Sequence, residues 1–94
     1  MNATHWTVRH NEAQSCFETT VEGHACRADY RLRDGVLRLT HTEVPPAVGG
    51  RGIAGALIQA ALDHARAHRL KVDPQCSYAA AYMKRRPETL DLLA

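Results

Sequence analysis

Residues 43–55 read Glu43-Val44-Pro45-Pro46-Ala47-Val48-Gly49-Gly50-Arg51-Gly52-Ile53-Ala54-Gly55, and the hydrophobic period of the chain changes across them. Before this stretch apolar and polar residues alternate. Ala28, Tyr30 and Leu32 interleave with Arg27, Asp29, Arg31 and Arg33; further on, Leu37, Leu39 and His41 share one face while Arg38, Thr40 and Thr42 share the other. That is the period of half-buried strands. Asp34-Gly35 between them is a hairpin turn, since Gly accepts positive φ and Asp tolerates it. After the stretch, Ile53, Leu57, Ile58, Ala61, Leu62 and Ala65 recur at intervals of three and four, so Gly52 to about His68 reads as an amphipathic helix. Val44-Pro45-Pro46 ends the last strand, because proline cannot donate to a ladder and turns its predecessor away from helical dihedrals.

Outward from this boundary, Trp6-Thr7-Val8-Arg9 and Cys16 to Val21 are short β-rich segments separated by the polar run His10 to Ser15, and Glu22-Gly23-His24 is a tight turn. On the other side, Lys71-Val72-Asp73 reads as a short strand. Pro74-Gln75-Cys76-Ser77 leads into a second helix from Tyr78 to about Arg86, interrupted by Pro87, with a final turn in Glu88 to Ala94. Antiparallel strands first and helix-strand-helix afterwards predict an α+β fold, an antiparallel meander with helices packed against it. The 94 residues are too few to divide into two cores, so one domain over residues 1–94 is expected.

Twelve Lys and Arg against ten Asp and Glu leave a net charge of +2, too weak to imply nucleic acid or an acidic membrane surface without a clustered patch. A nucleic-acid reading through Arg27, Arg31, Arg33 and Arg38 is opposed by interleaved acidic residues and few aromatics. The three cysteines form no CxxC pair, which fits a reducing cytoplasm rather than a disulfide framework or a zinc knuckle. His64 and His68 have i,i+4 spacing but no evident third ligand, so a solvated helix end is expected and no metal. Met1 to Trp6 lacks a basic stretch followed by an apolar core, and no apolar run approaches about 18 residues, so neither an export signal nor a membrane helix is expected.

Four glycines within Gly49 to Gly55 are an expensive way to begin a helix, at roughly 1 kcal/mol per helical Gly relative to Ala. Hydrogen side chains let a ligand approach the backbone, where the unpaired N–H groups of the first turn meet the positive dipole end. No Asp or Glu occurs from Val44 to Leu62, and Arg51 adds a cation. The pattern describes a phosphate site; the competing reading is a flexible turn plus close helix packing at Gly55. A Walker loop would require Gly-Lys-Ser/Thr, and a dinucleotide fingerprint would follow the first strand of a parallel unit; neither is present.

A glycine loop entering a helix after an antiparallel meander resembles the pyrophosphate loop of the GCN5-related N-acetyltransferases, whose pattern is Arg/Gln-x-x-Gly-x-Gly/Ala. Gly52-Ile53-Ala54 matches the second half, while Gly49 stands where Arg or Gln is usual. Together with Glu43-Val44-Pro45-Pro46, Leu57, Ala61 to Ala65, Lys71-Val72, Pro74, Cys76-Ser77-Tyr78, Tyr82 and Arg86-Pro87-Glu88, the chain is similar over roughly residues 25–88 to the small acetyltransferase-like branch that keeps the acetyl-CoA-binding half of the larger fold. The resemblance implies a reduced acyl-CoA-binding fold, acetyl-CoA as donor held by Val44 and Gly49, Gly50, Arg51, Gly52, Ile53, Ala54 and Gly55, and an amine acceptor. It also implies active-site roles for Cys76 and His41. Larger relatives place two helices between their first strands, whereas here only Asn11 to Ser15 intervenes, so the acceptor side is expected to be open to a peptide or protein amine.

Direct transfer needs a base for the amine proton and an acid for the leaving thiolate. Cys76, just before a predicted helix, is either a nucleophile favoured by the dipole or a small apolar side chain in a corner. His41 is either a base at the strand end nearest the loop or a hydrogen-bonded core residue. Tyr82 or Tyr78 could protonate the thiolate, or both could pack; Lys84, Arg85 and Arg86 could meet phosphates. Cys16 and Cys26 read as packing residues. A CoA-binding module without efficient transfer is the alternative, because Gly49 departs from the family pattern and no carboxylate base is evident.

Overall fold

The computed structural model describes residues 6–94. Five strands, β1 (Arg9–Asn11), β2 (Cys16–Val21), β3 (His24–Arg33), β4 (Val36–Glu43) and β5 (Lys71–Pro74), form a single sheet in chain order. The first four are antiparallel neighbours, and β5 lies parallel to β4. A parallel neighbour needs a crossover, supplied by helix α1 (Ile53–Ala67); helix α2 (Ser77–Lys84) follows β5. The β3–β4 hairpin closes on Asp34 at φ 55° and Gly35 at φ 74°, the left-handed pair that a tight turn requires. Among the described residues no helix is long and apolar enough to cross a membrane, and residues 1–5, on which part of the export-signal reading falls, lie outside the described residues.

Both helices bury their apolar stripes in one cluster with the same face of the sheet: Leu57, Ile58 and Leu62 of α1 and Ala79 and Met83 of α2 join Ala28, Leu37, Leu39 and Val72. Truncating such a residue to Ala costs about 2–5 kcal/mol. Cys26 belongs to this core, whereas Cys16 is buried outside it, paired across β2–β3 with Asp29. The opposite sheet face carries Glu18, Arg27, Asp29, Arg31, Arg38, His41 and Glu43, all exposed or half-exposed.

Two strand expectations are corrected. The first strand is Arg9–Asn11, not Trp6 to Arg9, and a 3-10 turn at Glu12–Gln14 returns it to β2. The polar run pairs because His10 stacks on Phe17 at 4.3 Å and reaches the Tyr30 hydroxyl at 2.6 Å. In β4 the register slips between Asp29/His41 and Tyr30/Leu39, leaving Thr40 as the extra residue of a bulge. One inserted residue inverts every later side chain. His41 therefore does not share a face with Leu37 and Leu39; it stands on the open face opposite Asp29, and Thr42 turns inward.

The C-terminal end of α1 is likewise less solvated than its histidines predict. His64 meets His10 edge-on at 4.5 Å and stacks with His68 at 4.1 Å. Burial, then His68, then His10 push the His64 imidazole below the ordinary histidine value, with Glu12 opposing. The unfolded chain thus takes up the proton more readily. The stability this ring confers is complete above about pH 6.5, the unfolded value, and is lost as pH falls through it toward the folded value. Thermal midpoints should drop as pH falls below about 6.5, and His64→Gln should flatten that decline. An undiminished decline in His64→Gln would place the acid sensitivity elsewhere.

Candidate active site

A 3-10 turn at Pro46–Val48 carries the chain from β4 to the glycine loop, burying Val48 and leaving Gly49 extended. Gly50 and Gly52 take φ 76° and 86°, and Gly52 caps α1 without a side-chain bond. Left-handed backbone there requires glycine, and a Cβ built on either would meet nothing within 4 Å, so the space above the loop is open. Among the described residues the N–H groups of residues 52–55 have no acceptor. They are the unpaired donors of a first helical turn, with no acidic residue in it.

Two depressions flank this turn. One of about 180 Å³ is lined by Val44, Gly49, Gly50, Gly52, Ile53, Ala54 and Tyr78. The other, about 400 Å³, shares Gly52 and Tyr78 and extends past Gln59 and Tyr82 to Arg85 and Arg86. Two of the three expected phosphate cations, Arg85 and Arg86 just beyond α2, thus lie on the same groove as the loop, while Lys84 does not line it. Gly55 faces α2: a Cβ there would stand 3.4 Å from the Tyr82 ring and 3.5 Å from the Tyr78 hydroxyl, an ordinary contact distance.

Arg51 is not the free cation that the neighbouring sequence suggests. Glu22, in the β2–β3 turn, receives both its guanidinium nitrogens at 2.7 and 3.2 Å. The guanidinium holds the Glu22 carboxyl below its usual range. Exposed pairs of this kind contribute little, so the bond can yield to a stronger anion.

Tyr82 is buried, donates its hydroxyl to Gln59 Oε1 at 2.5 Å and lies under the Arg86 guanidinium at 4.1 Å. These contacts make it a wall of the groove, with its proton already committed. Tyr78, more than a third exposed, covers both depressions.

β5 ends at Pro74, opposite Leu39 of β4. The N–H groups of Gln75 and Cys76 both donate to the Leu39 carbonyl, and Cys76 then caps α2 with its sulfur accepting from Ala79 N–H at 3.4 Å. Thr42 Oγ1 approaches the same sulfur at 3.3 Å. Thr42 escaped the sequence reading because the bulge alone turns it toward Cys76. His41, on the other face, has Nε2 3.5 Å from Glu43 Oε1, and Arg27 binds both that carboxylate at 3.2 Å and Asp29 at 3.1 Å. His41 thus faces away from the Thr42–Cys76 contact, on the open side of β4.

A family model described as GCN5-related N-acetyl-transferase matches residues 16–92. The chain belongs to this family. Acetyl-CoA binding and acetyl transfer are general to GCN5-related proteins. Protein NATD1 of Gallus gallus is 46% identical over 52 residues, covering 55% of this chain and 47% of that protein. Protein NATD1 of Homo sapiens is also 46% identical over 52 residues, covering 55% and 46%. The chain spans about half the length of these curated relatives. Among solved structures, a GCN5-like protein from Staphylococcus aureus, determined by NMR in solution, superposes with TM-score 0.75 and 25% identity over 95% of this chain and 88% of that one. The GCN5-related meander is therefore retained here with its helices on one face only.

Proposed function

We propose that this chain transfers the acetyl group of acetyl-CoA to an amine of a peptide or protein. The observation that carries the reading is the start of α1, where N–H groups without acceptors sit behind glycines at positive φ under open space. Such donors fit a diphosphate. Val44 and Ile53 offer an apolar wall to the pantetheine arm, and Arg85 and Arg86 suit a further phosphate. Acetyl-CoA, when bound, supplies an acyl group activated as a thioester.

The chain's own residues then have separable tasks. His41 takes the amine proton on the open face, where a large acceptor can approach. Glu43 stands 3.5 Å from Nε2, which leaves Nδ1 for that proton. Cys76 caps α2 with a backbone donor aimed at its sulfur, and it either receives the acyl group as the CoA thiolate departs or lines the acyl group's path. Tyr82 shapes the groove.

Calorimetry with acetyl-CoA, CoA and dephospho-CoA tests the reading. The first two should bind, and dephospho-CoA more weakly because Arg85 and Arg86 lose an anion; no binding by any of them would overturn it. For Cys76, brief incubation with acetyl-CoA, acid quenching and peptide mass spectrometry should show the acetyl group on this thiol and not on Cys16 or Cys26. Cys76→Ala should then abolish transfer with acetyl-CoA still bound. Retained turnover in Cys76→Ala would leave the thiol as lining. Binding without acetylation of any amine would favour the CoA-binding module, the reading to which Gly49 in place of Arg or Gln points.

A further inference from the structure

On the open face of the sheet, Arg31 of β3 and Arg38 of β4 are directly opposed. Like charges in that position are destabilising, and nothing in the core requires either side chain. Arg33 stands one step along β3 on the same face, and the three guanidiniums with Asp34 line a depression of about 440 Å³. Their carboxylate partners are few and loose: Arg38 has Asp73 at 3.8 Å, and Arg33 has its neighbour Asp34 at 3.6 Å, both residues of that pair being more than four-fifths exposed. Among the described residues Arg31 has no carboxylate within ion-pair distance. The site carries an excess of positive charge that the protein does not neutralise.

Its position gives this excess a use. The Arg31/Arg38 row adjoins the Asp29/His41 row, about 7 Å away along the strands. An extended peptide lying along β3 and β4 repeats its side chains on one face at the same interval. We propose that Arg31, Arg38 and Arg33 form an acceptor subsite for an acidic peptide, one whose Asp or Glu stands two residues from the amine-bearing residue. The amine then enters beside His41 and Asp29, and the carboxylate enters the row of arginines, which can grip it bidentately. The distance between these two rows sets the spacing. This inference rests on the transferase reading for the identity of the occupant and not for the subsite itself.

The test is fluorescence anisotropy of labelled extended peptides with a central Lys, carrying Glu at both the −2 and +2 positions in one probe and Gln in the other. Binding is measured at low salt on the full chain without acetyl-CoA. The Glu peptide should bind at least about tenfold more tightly, and the preference should shrink with added salt. Arg31→Gln/Arg38→Gln should erase the preference while acetyl-CoA affinity by calorimetry stays unchanged. Both side chains are outside the core, and the double variant removes a like-charge opposition, so folding is retained; Arg31→Gln alone provides a milder check, with a several-fold loss. Equal binding of the two peptides, or a preference that survives the double variant, overturns the proposal. Displacement of the Glu peptide by a short oligonucleotide that binds more tightly would overturn it in favour of nucleic acid. Failure of acetyl-CoA to bind the unaltered chain would sink the transferase reading separately, since the peptide measurement contains no CoA.

Discussion

Replacing Ala54 by Asp should remove acetyl-CoA binding while leaving thermal stability equal or slightly higher. Ala54 is the second residue of α1, where a carboxylate gains about 0.3–1 kcal/mol from the helix dipole. The same carboxylate would stand roughly 5 Å from a diphosphate held by the first turn, a repulsion of about 3 kcal/mol per charge at an effective dielectric constant near 20. That corresponds to an affinity loss of roughly a hundredfold or more. Ala54→Asn, similar in shape and uncharged, should lose far less. Substituting Gly52 is a poorer test, because φ 86° strains any L side chain and mixes folding with binding. Calorimetry beside a thermal melt reads both quantities, and full acetyl-CoA affinity in Ala54→Asp would move the phosphate site away from α1.

His41→Ala should cut the rate of acetylation by about 10²–10⁴, the range for losing a general base. Acetyl-CoA affinity should hold, because His41 is on the open face and the donor loop borders the helices. Stability should hold too, since the His41 side chain is 57% exposed. Glu43→Gln should lower the rate less, because it removes the partner of Nε2 and not the ring. Turnover equal to that of the unaltered protein would dismiss His41 as base, and parallel loss of stability and activity would make it structural.

Much of the architecture was legible because it rests on local rules. The alternation in β3, the Asp34-Gly35 turn, the prolines after β4 and the three-and-four spacing of α1 each constrain the chain within a few residues. β1 was misplaced because its pairing depends on the aromatic contacts of His10 with Phe17 and Tyr30, which no local pattern displays. In the candidate site, the glycine loop was visible from its cost. Glu22, which holds Arg51, and Gln59, which accepts the Tyr82 hydrogen bond, were not: each lies more than twenty residues from its partner.

The sequence by itself determined the α+β class, the turn at which strands give way to helices, the concentration of glycine where donors are unpaired, and the placement of Cys76 at a helix start. These follow from propensity, period and backbone freedom, which are properties of neighbouring residues. The tertiary structure alone decided which chemistry meets which. A single extra residue at Thr40 turned His41 outward to Glu43 and Asp29 and Thr42 inward to Cys76, and alternation read from the chain cannot anticipate it. The opposition of Arg31 to Arg38, by contrast, follows from the two-residue Asp34-Gly35 turn, which fixes the register of the hairpin locally.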